Sequence, residues 1–217
     1  NTAVGYHSLG GNSTGTGNTA VGRQSLKNNT TASNNTAVGF DALNANTTGD
    51  ANTAVGQGSM QNTTTGRRNT AVGLQALRDN TTGDNNTAIG RIALFLNTTG
   101  DDNTAVGSGA LDANTSGGFN SAVGKEALGA NTTGSNNTGI GLQAGAEVTS
   151  GSNNLLLGLN AGRSSSPSGQ ITTGSNQVCL GNNSITDLFC KVSTIQTSDL
   201  RDKTDINDFT HGLSWVE

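Results

Sequence analysis

Aromatic and charged residues are scarce in this 217-residue chain. Aromatic residues make up 3% and charged residues 12% of the sequence, and hydrophobic residues of all kinds make up 31%. Globular cores of this length usually draw on more apolar side chains, so we expect no large core. Low hydrophobicity can indicate disorder, but disordered chains usually carry high net charge, and here the formal net charge is only −4.

Other absences disfavour whole classes of function. No run of about 18 apolar residues is present, so we expect no membrane insertion. No stripe of lysine and arginine is present, so we expect no nucleic-acid partner. Cys179 and Cys190 form neither a disulfide framework nor a metal-ligand set, and we expect them to be small buried side chains. His7 and His211 are isolated and expected at the surface, so we predict no metal site and no cofactor.

Glycine is abundant, with 32 residues, and one repeated unit dominates the chain. This unit returns every 17 residues, and spacing held so strictly indicates coils that stack on one another. We therefore predict an all-β fold, a β-solenoid or β-roll with 17-residue coils. The ten copies begin at Asn1, Asn18, Asn35, Asn52, Asn69, Asn86, Asn103, Asn120, Asn137 and Asn154.

Each unit reads N-T-A-V-G-x-x-A-L-x-x-N-T-T-G-x-x, and we number its positions 1 to 17 from the first asparagine. Thr-Ala-Val favours a short strand, and the glycine at position 5 suits a bend with unusual backbone angles. Asn-Thr-Thr-Gly is typical of a turn whose glycine has a positive φ. Stacking of identical coils predicts aliphatic columns at positions 4 and 9 and a ladder of asparagine side chains at position 1.

Alternation along a strand predicts which side chains share a face. If Val4 points into the coil, Thr2 does so too, and Ala3 points outward. The same alternation would place Ala42 and Leu43 on opposite faces. A strand that is apolar on both faces is covered on both, and we interpret the outer cover as another chain. A thin coil with little core also favours oligomerisation.

The regular spacing breaks down near the C-terminal end. We predict a solenoid over residues 1–162, an irregular last coil and β connector over residues 163–197, and a separate segment over residues 198–217. Pro167, the one proline of the chain, lies in a serine-rich loop. Within these segments we expect one or two β segments over residues 183–196 and the first turns of a helix over residues 208–217.

The repeat resembles two families of fibrous proteins. It is similar to the N-S-x-A-I-G units of trimeric autotransporter adhesin heads, which form β-rolls of three chains. It resembles more closely the N-T-A-V-G-x-x-A-L-x-x-N-T-T-G arrays of phage tail-fibre-like proteins. The resemblance implies a homotrimeric fibre on a virion tail or a cell surface. Its expected partners are its own copies and a host-surface receptor of unknown identity, for which a glycan is one option.

Residues 197–206, Thr-Ser-Asp-Leu-Arg-Asp-Lys-Thr-Asp-Ile, resemble the opening of the intramolecular chaperone domain that ends many such fibres, of the tail spike and endosialidase type. That family trimerises, guides folding of the upstream β-structure and then cuts itself off. Leu200 and Asp202 depart from the family pattern. By resemblance, cleavage falls between Thr197 and Ser198, with Ser198 as nucleophile and Lys203 as base. The matching residues are Ser198, Asp199, Arg201, Lys203 and Ile206.

Three functions therefore stay open. The first is the structural shaft of a trimeric extracellular fibre, and the second is a bacterial cell-surface adhesin built on the same coil. The third is an ice-binding solenoid, because threonine recurs at coil spacing. Ice binding needs a threonine column that faces water, and the alternation above places Thr2 inward, so we disfavour it. Apart from self-cleavage, we expect no enzymatic activity.

Overall fold

The computed structural model describes residues 1–187 and shows a parallel β-solenoid, in which no described residue is helical. Three-residue strands form a single parallel sheet in chain order. Except at the last step, each strand pairs in register with the strand 17 residues later, so each residue stacks on its equivalent in the next coil. The predicted all-β solenoid with 17-residue coils is confirmed. The strands are β1 (Thr2–Val4), β2 (Thr19–Val21), β3 (Thr36–Val38), β4 (Thr53–Val55), β5 (Thr70–Val72), β6 (Thr87–Ile89), β7 (Thr104–Val106), β8 (Ser121–Val123), β9 (Thr138–Ile140), β10 (Leu155–Leu157) and β11 (Val178–Leu180).

The step from β10 to β11 is longer than the others. Leu155 pairs with Val178, a separation of 23 residues (178 − 155), so this coil has six residues more than the regular 17 (23 − 17). No strand lies within residues 183–187. The remainder of the predicted β connector and the predicted start of a helix fall in residues 188–217, outside the described residues.

The coil interior is filled by positions 3, 8 and 9. In the third coil, Ala37, Ala42 and Leu43 are each fully buried. The same positions in neighbouring coils join them in one continuous core, which follows the axis of the solenoid. The predicted leucine column at position 9 is confirmed.

The predicted orientation of the strand is wrong. Ala37 points into the coil, whereas Val38 is 37% exposed and Thr36 is half-buried. Beside the leucine column the interior is narrow, and position 3 has room only for alanine. The larger side chains of positions 2 and 4 therefore face outward. Ala42 and Leu43 are both buried, because Leu43 adopts a left-handed φ of 50° and the strand alternation does not apply there.

Buried asparagines join the coils through two ladders. At position 1, Asn35 donates its backbone N–H to Oδ1 of Asn18 at 2.9 Å and its side-chain amide to the carbonyl of Gly49 at 2.9 Å. At position 12, Asn46 donates its side-chain amide to Oδ1 of Asn29 at 2.9 Å. The ladder at position 1 was predicted, whereas position 12 was expected only as part of a turn. These buried hydrogen bonds join each coil to the next along the solenoid.

The two recurrent glycines serve different purposes. Gly39, at position 5, has a φ of 141°, and a Cβ there would lie 2.5 Å from the carbonyl oxygen of Gly56 in the next coil. Gly49, at position 15, has no positive φ, so that prediction is wrong; a side chain there would collide with the backbone of the next coil. The left-handed residue of this turn is position 17, as at Asn34 with a φ of 61°.

The core changes its composition in the ninth and tenth coils. Leu156 replaces alanine at position 3, while Gly145 and Gly162 replace leucine at position 9. A Cβ on Gly145 would lie 2.5 Å from Cδ1 of Leu156, and a Cβ on Gly162 would lie 2.9 Å from its Cδ2. The Leu156 side chain therefore fills the volume that the leucine column fills elsewhere.

Candidate functional site: the outer strip

The outward side chains include a continuous aliphatic column at position 4, flanked by position 2 within the strand and by position 6 just after it. We call these three positions of every coil the outer strip. At position 4, Val21, Val38, Val55 and Val72 are each 36–38% exposed. Parallel pairing stacks these side chains one on the next at about 4.8 Å. The strip therefore runs along the whole sheet, because every coil contributes an aliphatic residue at this position.

Position 6 adds larger apolar side chains to the strip. These residues follow Gly at position 5, and several of them are among the most exposed hydrophobic residues of the described chain. Contiguous exposed apolar surface of more than a few hundred Å² is unusual on a monomer and marks an interaction site. The apolar residues at position 6 are Tyr6, Phe40, Leu74, Leu142 and Leu159.

Threonine occupies position 2 in β1 to β7, and from β2 to β7 its side chain is half-buried, at the margin of the strip. The threonines at position 13 have their hydroxyls engaged within the fold. Thr30 and Thr81 each donate to a carbonyl of the next coil at 2.9 Å. At the C-terminal end, Leu155 and Val178 replace the threonine of position 2. The strip thus presents alternating hydroxyl and aliphatic columns along most of its length and only aliphatic ones at its end.

All charged residues of the outer strip in the described chain are basic: Arg23, Arg91 and Lys125. The guanidinium carbon of Arg23 lies 5.5 Å from the centroid of the Phe40 ring, a favourable cation–π distance. A hydrogen bond from Gln143 and the nearby ammonium of Lys125 lower the pKa of Glu126, which lies next to the strip. The strip therefore joins apolar surface to isolated positive charges.

Cys179 is buried beneath the loop of the last coil, as predicted. The Ser168 hydroxyl and the Gly162 N–H each donate to its sulfur at 3.2 Å. Burial alone would raise the pKa of the thiol, but hydrogen bonds from Ser168, Ser166 and Gly162 outweigh burial and lower it. These contacts tie the inserted loop to β11.

His7 is exposed, as expected for an isolated histidine. Over residues 1–187, no three histidine, cysteine, aspartate or glutamate side chains come close enough together to hold a metal ion. That part of the chain also has no helix with the length and apolar character to cross a membrane. His211 and Cys190 lie outside the described residues.

Ser198 and Lys203, the predicted nucleophile and base, lie beyond residue 187 and outside the described residues, so that assignment stays a prediction. The outer strip was missed by sequence reasoning. Its signal was present in the size of the side chains. Position 3 is alanine in every coil that has leucine or methionine at position 9, whereas position 6 carries residues as large as Tyr6 and Phe40.

The outer strip is thus the surface of the described chain with the most continuous and regular exposed apolar character. Comparison of the chain with protein-family models, with curated proteins and with solved structures returns no match.

Proposed function

We propose that this chain is the structural shaft of a homotrimeric extracellular fibre of the phage tail-fibre kind, which carries a receptor-binding part to a host surface. The single observation behind this proposal is the outer strip, an exposed aliphatic column that runs the length of the solenoid. A stiff stack of identical coils that keeps one apolar row exposed suits a rod whose copies pack side by side.

The strip is long enough for copies to pack side by side along the solenoid. Eleven strands at about 4.8 Å spacing span roughly 48 Å, and positions 2 to 6 of a coil span roughly 14 Å when extended. Their product is on the order of 700 Å² per chain, which a trimer shares between two neighbours, compared with roughly 800 Å² per partner in a standard two-chain interface. Burial of the strip would also add to the small core of each coil, since the apolar part of the interior is mostly alanine and leucine.

The number of copies rests on the resemblance to trimeric fibres. In a trimer, three strips meet around an axis parallel to the solenoids, and each coil meets its equivalent at the same height. Like side chains then pack against like, and the 17-residue register of one chain matches that of its neighbours. A bacterial cell-surface trimeric adhesin uses the same packing, so it is the alternative location for such a shaft.

The C-terminal segment completes the proposal. By its resemblance to an intramolecular chaperone, it trimerises, registers the three chains and is cut between Thr197 and Ser198. In a chain extended through the full chaperone domain, Ser198→Ala or Lys203→Ala abolishes release of the C-terminal fragment on a denaturing gel. Unchanged processing in both variants would contradict this assignment. The proposed shaft would then be tested by its oligomeric state alone.

The oligomeric state tests the shaft directly. Sedimentation and light scattering of the 217-residue chain should show a trimer, and electron microscopy should show a thin rod. Val55→Lys with Val72→Lys places charge within the strip and should give monomers. Thr65→Lys with Thr82→Lys, at the exposed position 14, is the matched control and should remain trimeric. A wild-type chain that is monomeric at all concentrations contradicts the proposal.

Ice binding is a second candidate, since the threonine and valine columns both face outward. The alternation that disfavoured it is wrong, and position 2 presents hydroxyls at a regular spacing beside the aliphatic column. A monomeric chain that depresses the freezing point below the melting point would favour this function. Replacement of Thr53, Thr70 and Thr87 by lysine should then abolish the difference between the two temperatures.

A further inference from the structure

The outer strip is not uniform, because its apolar character increases in the ninth to eleventh coils. In the tenth and eleventh coils Leu155 and Val178 replace the threonine of position 2, whereas the ninth coil keeps Thr138. Position 6 carries Leu142 in the ninth coil and Leu159 in the tenth, which are 47% and 48% exposed. No charged residue occupies positions 2, 4 or 6 in this part, whereas Arg23, Arg91 and Lys125 interrupt the strip upstream. The aliphatic residues of this end of the strip are Ile140, Leu142, Leu155, Leu157, Leu159, Val178 and Leu180.

A polar groove borders this aliphatic surface on one side. It has a volume of about 270 Å³, and Asn136, Asn153, Asn176 and Thr138 are among the polar residues that line it. Asn153 donates to Oδ1 of Asn176 at 2.8 Å, and the two residues are exposed. Leu155 and Val178 also line the groove, so apolar surface passes directly into an amide-lined edge. Stable protein interfaces have this arrangement, an apolar centre with a polar rim that can hydrogen-bond to the partner or to water.

We infer that this end of the strip, which we call the aliphatic anchor and define by the seven residues above, is the strongest contact between copies of this chain. The inference rests on the proposed trimeric shaft and states which coils hold it together. The occupant is the aliphatic anchor of a second and third copy, because each anchor is uncharged and can pack against its own kind at the same height. Burial of apolar surface is favourable in proportion to its area, so we expect the coils that present the most apolar surface to contribute the most to assembly.

Matched substitutions at one coil position test the inference. Leu142→Ser with Leu159→Ser changes two exposed apolar residues of position 6 in the anchor. Phe40→Ser with Leu74→Ser changes two residues of the same position upstream, where the exposed fractions are 40% and 41%. Both pairs should leave the single-chain fold intact, since all four side chains lie outside the core. We expect the anchor pair to raise the concentration of half-dissociation about tenfold or more beyond the upstream pair.

A more conservative substitution addresses the risk that the serine variants fail to fold. Leu155→Thr restores the residue found at position 2 of most upstream coils, and it should also weaken assembly while the circular dichroism spectrum stays unchanged. If the wild-type chain is trimeric and the two serine pairs shift dissociation equally, the anchor inference is overturned and the shaft stands. If the wild-type chain is monomeric at every concentration, both are overturned.

Discussion

Oδ1 of Asn46 and the hydroxyl of Thr63 lie in successive coils of the position-12 column, and neither atom has a hydrogen-bond partner among the described residues. The cause is a single substitution in the ladder, since Thr63 stands where Asn29, Asn46 and Asn80 carry an amide. Threonine is too short to donate to the asparagine of the coil before it. A buried polar atom without a partner costs about 1–3 kcal/mol.

Repair of this break should stabilise the fold. In Thr63→Asn, the new amide can donate to Asn46, and its oxygen can accept from Asn80, as Asn97 and Asn80 do two coils later at 2.9 Å. We expect the free energy of unfolding in urea to rise by about 1–2 kcal/mol. Thr65→Asn, at an exposed position two residues away, is the control and should change it by less than about 0.5 kcal/mol. A Thr63→Asn variant no more stable than wild type would contradict the ladder.

Removal of an intact rung should have the opposite effect. Asn97→Ala removes the donor to Asn80 and Gly100 and the acceptor of Asn114, which lies 2.7 Å away. We expect a loss of about 2–4 kcal/mol in the free energy of unfolding, because buried partners are left unpaired. Asn28→Ala removes an exposed amide and should cost no more than about 0.5 kcal/mol. Equal losses in the two variants would show that burial of the ladder contributes nothing.

Glycine at position 5 should be irreplaceable. Gly73→Ala puts a side chain on a residue with a φ of 139°, and its Cβ would lie 2.5 Å from the carbonyl oxygen of Gly90. We expect the variant to lose about 3 kcal/mol or more, since the obstacle is backbone. Gly10→Ala is the control, because its Cβ would lie 3.4 Å from the nearest atom and its φ is not positive. Thermal unfolding followed by circular dichroism measures both, and a stable Gly73→Ala would contradict the tight stacking.

Leu156 fills core volume that Gly145 leaves empty. We therefore expect the effects of substitutions at these two residues on stability to depend on one another. Leu156→Ala alone should cost about 2–5 kcal/mol, because it opens a cavity. Gly145→Ala alone should also destabilise, since its φ is 65° and its Cβ would lie 2.5 Å from Leu156 and 2.6 Å from Leu128. In the double variant the new methyl group enters the cavity, so the loss should be at least about 1 kcal/mol smaller than the sum of the single losses. A strictly additive double-mutant cycle would show that the two residues do not share this space.

We expect the stability linked to two aspartates to depend on pH in opposite ways. The Asp79 pKa is lowered, chiefly by hydrogen bonding from Arg78, whose Nε donates to Oδ1 at 2.8 Å. Its stabilisation is therefore present above the unfolded-state pKa of about 3.9 and is lost as pH falls through the folded-state value. Asp79→Asn should cost about 0.5–1 kcal/mol at pH 7 and nothing at pH values below both pKa values.

Asp112 should behave in the reverse way. Burial raises the pKa of its carboxyl, and the charge of Glu126 adds to the shift. The stability linked to its protonated form is present below the unfolded-state pKa and is lost as pH rises through the folded-state pKa. Asp112→Asn should therefore leave the protein as stable as wild type, or more stable, at pH 7. Urea titrations at several pH values check both aspartates, and parallel curves for the two variants would contradict these assignments.

Period and composition alone were sufficient to predict the coil, its register and the Leu43 column, because a residue that recurs every 17 positions must stack on itself. They could not orient Ala37 and Val38, since alternation gives the relative directions of neighbours and not which one faces inward. The narrow interior beside Leu43 determines which of the two residues faces inward. Its narrowness depends on the left-handed backbone at Leu43, which the sequence pattern did not reveal. The outer strip was missed for the same reason.

In-register stacking also determines how such a chain can change its length. Because asparagine, alanine and leucine recur at the same places, the upper surface of each coil fits the lower surface of any other regular coil. One unit duplicated between the fourth and fifth coils would find compatible neighbours on both sides and lengthen the molecule by about 4.8 Å. The length of the solenoid can therefore evolve in fixed increments through duplication or deletion of whole units. Each new contact between coils repeats one that already exists.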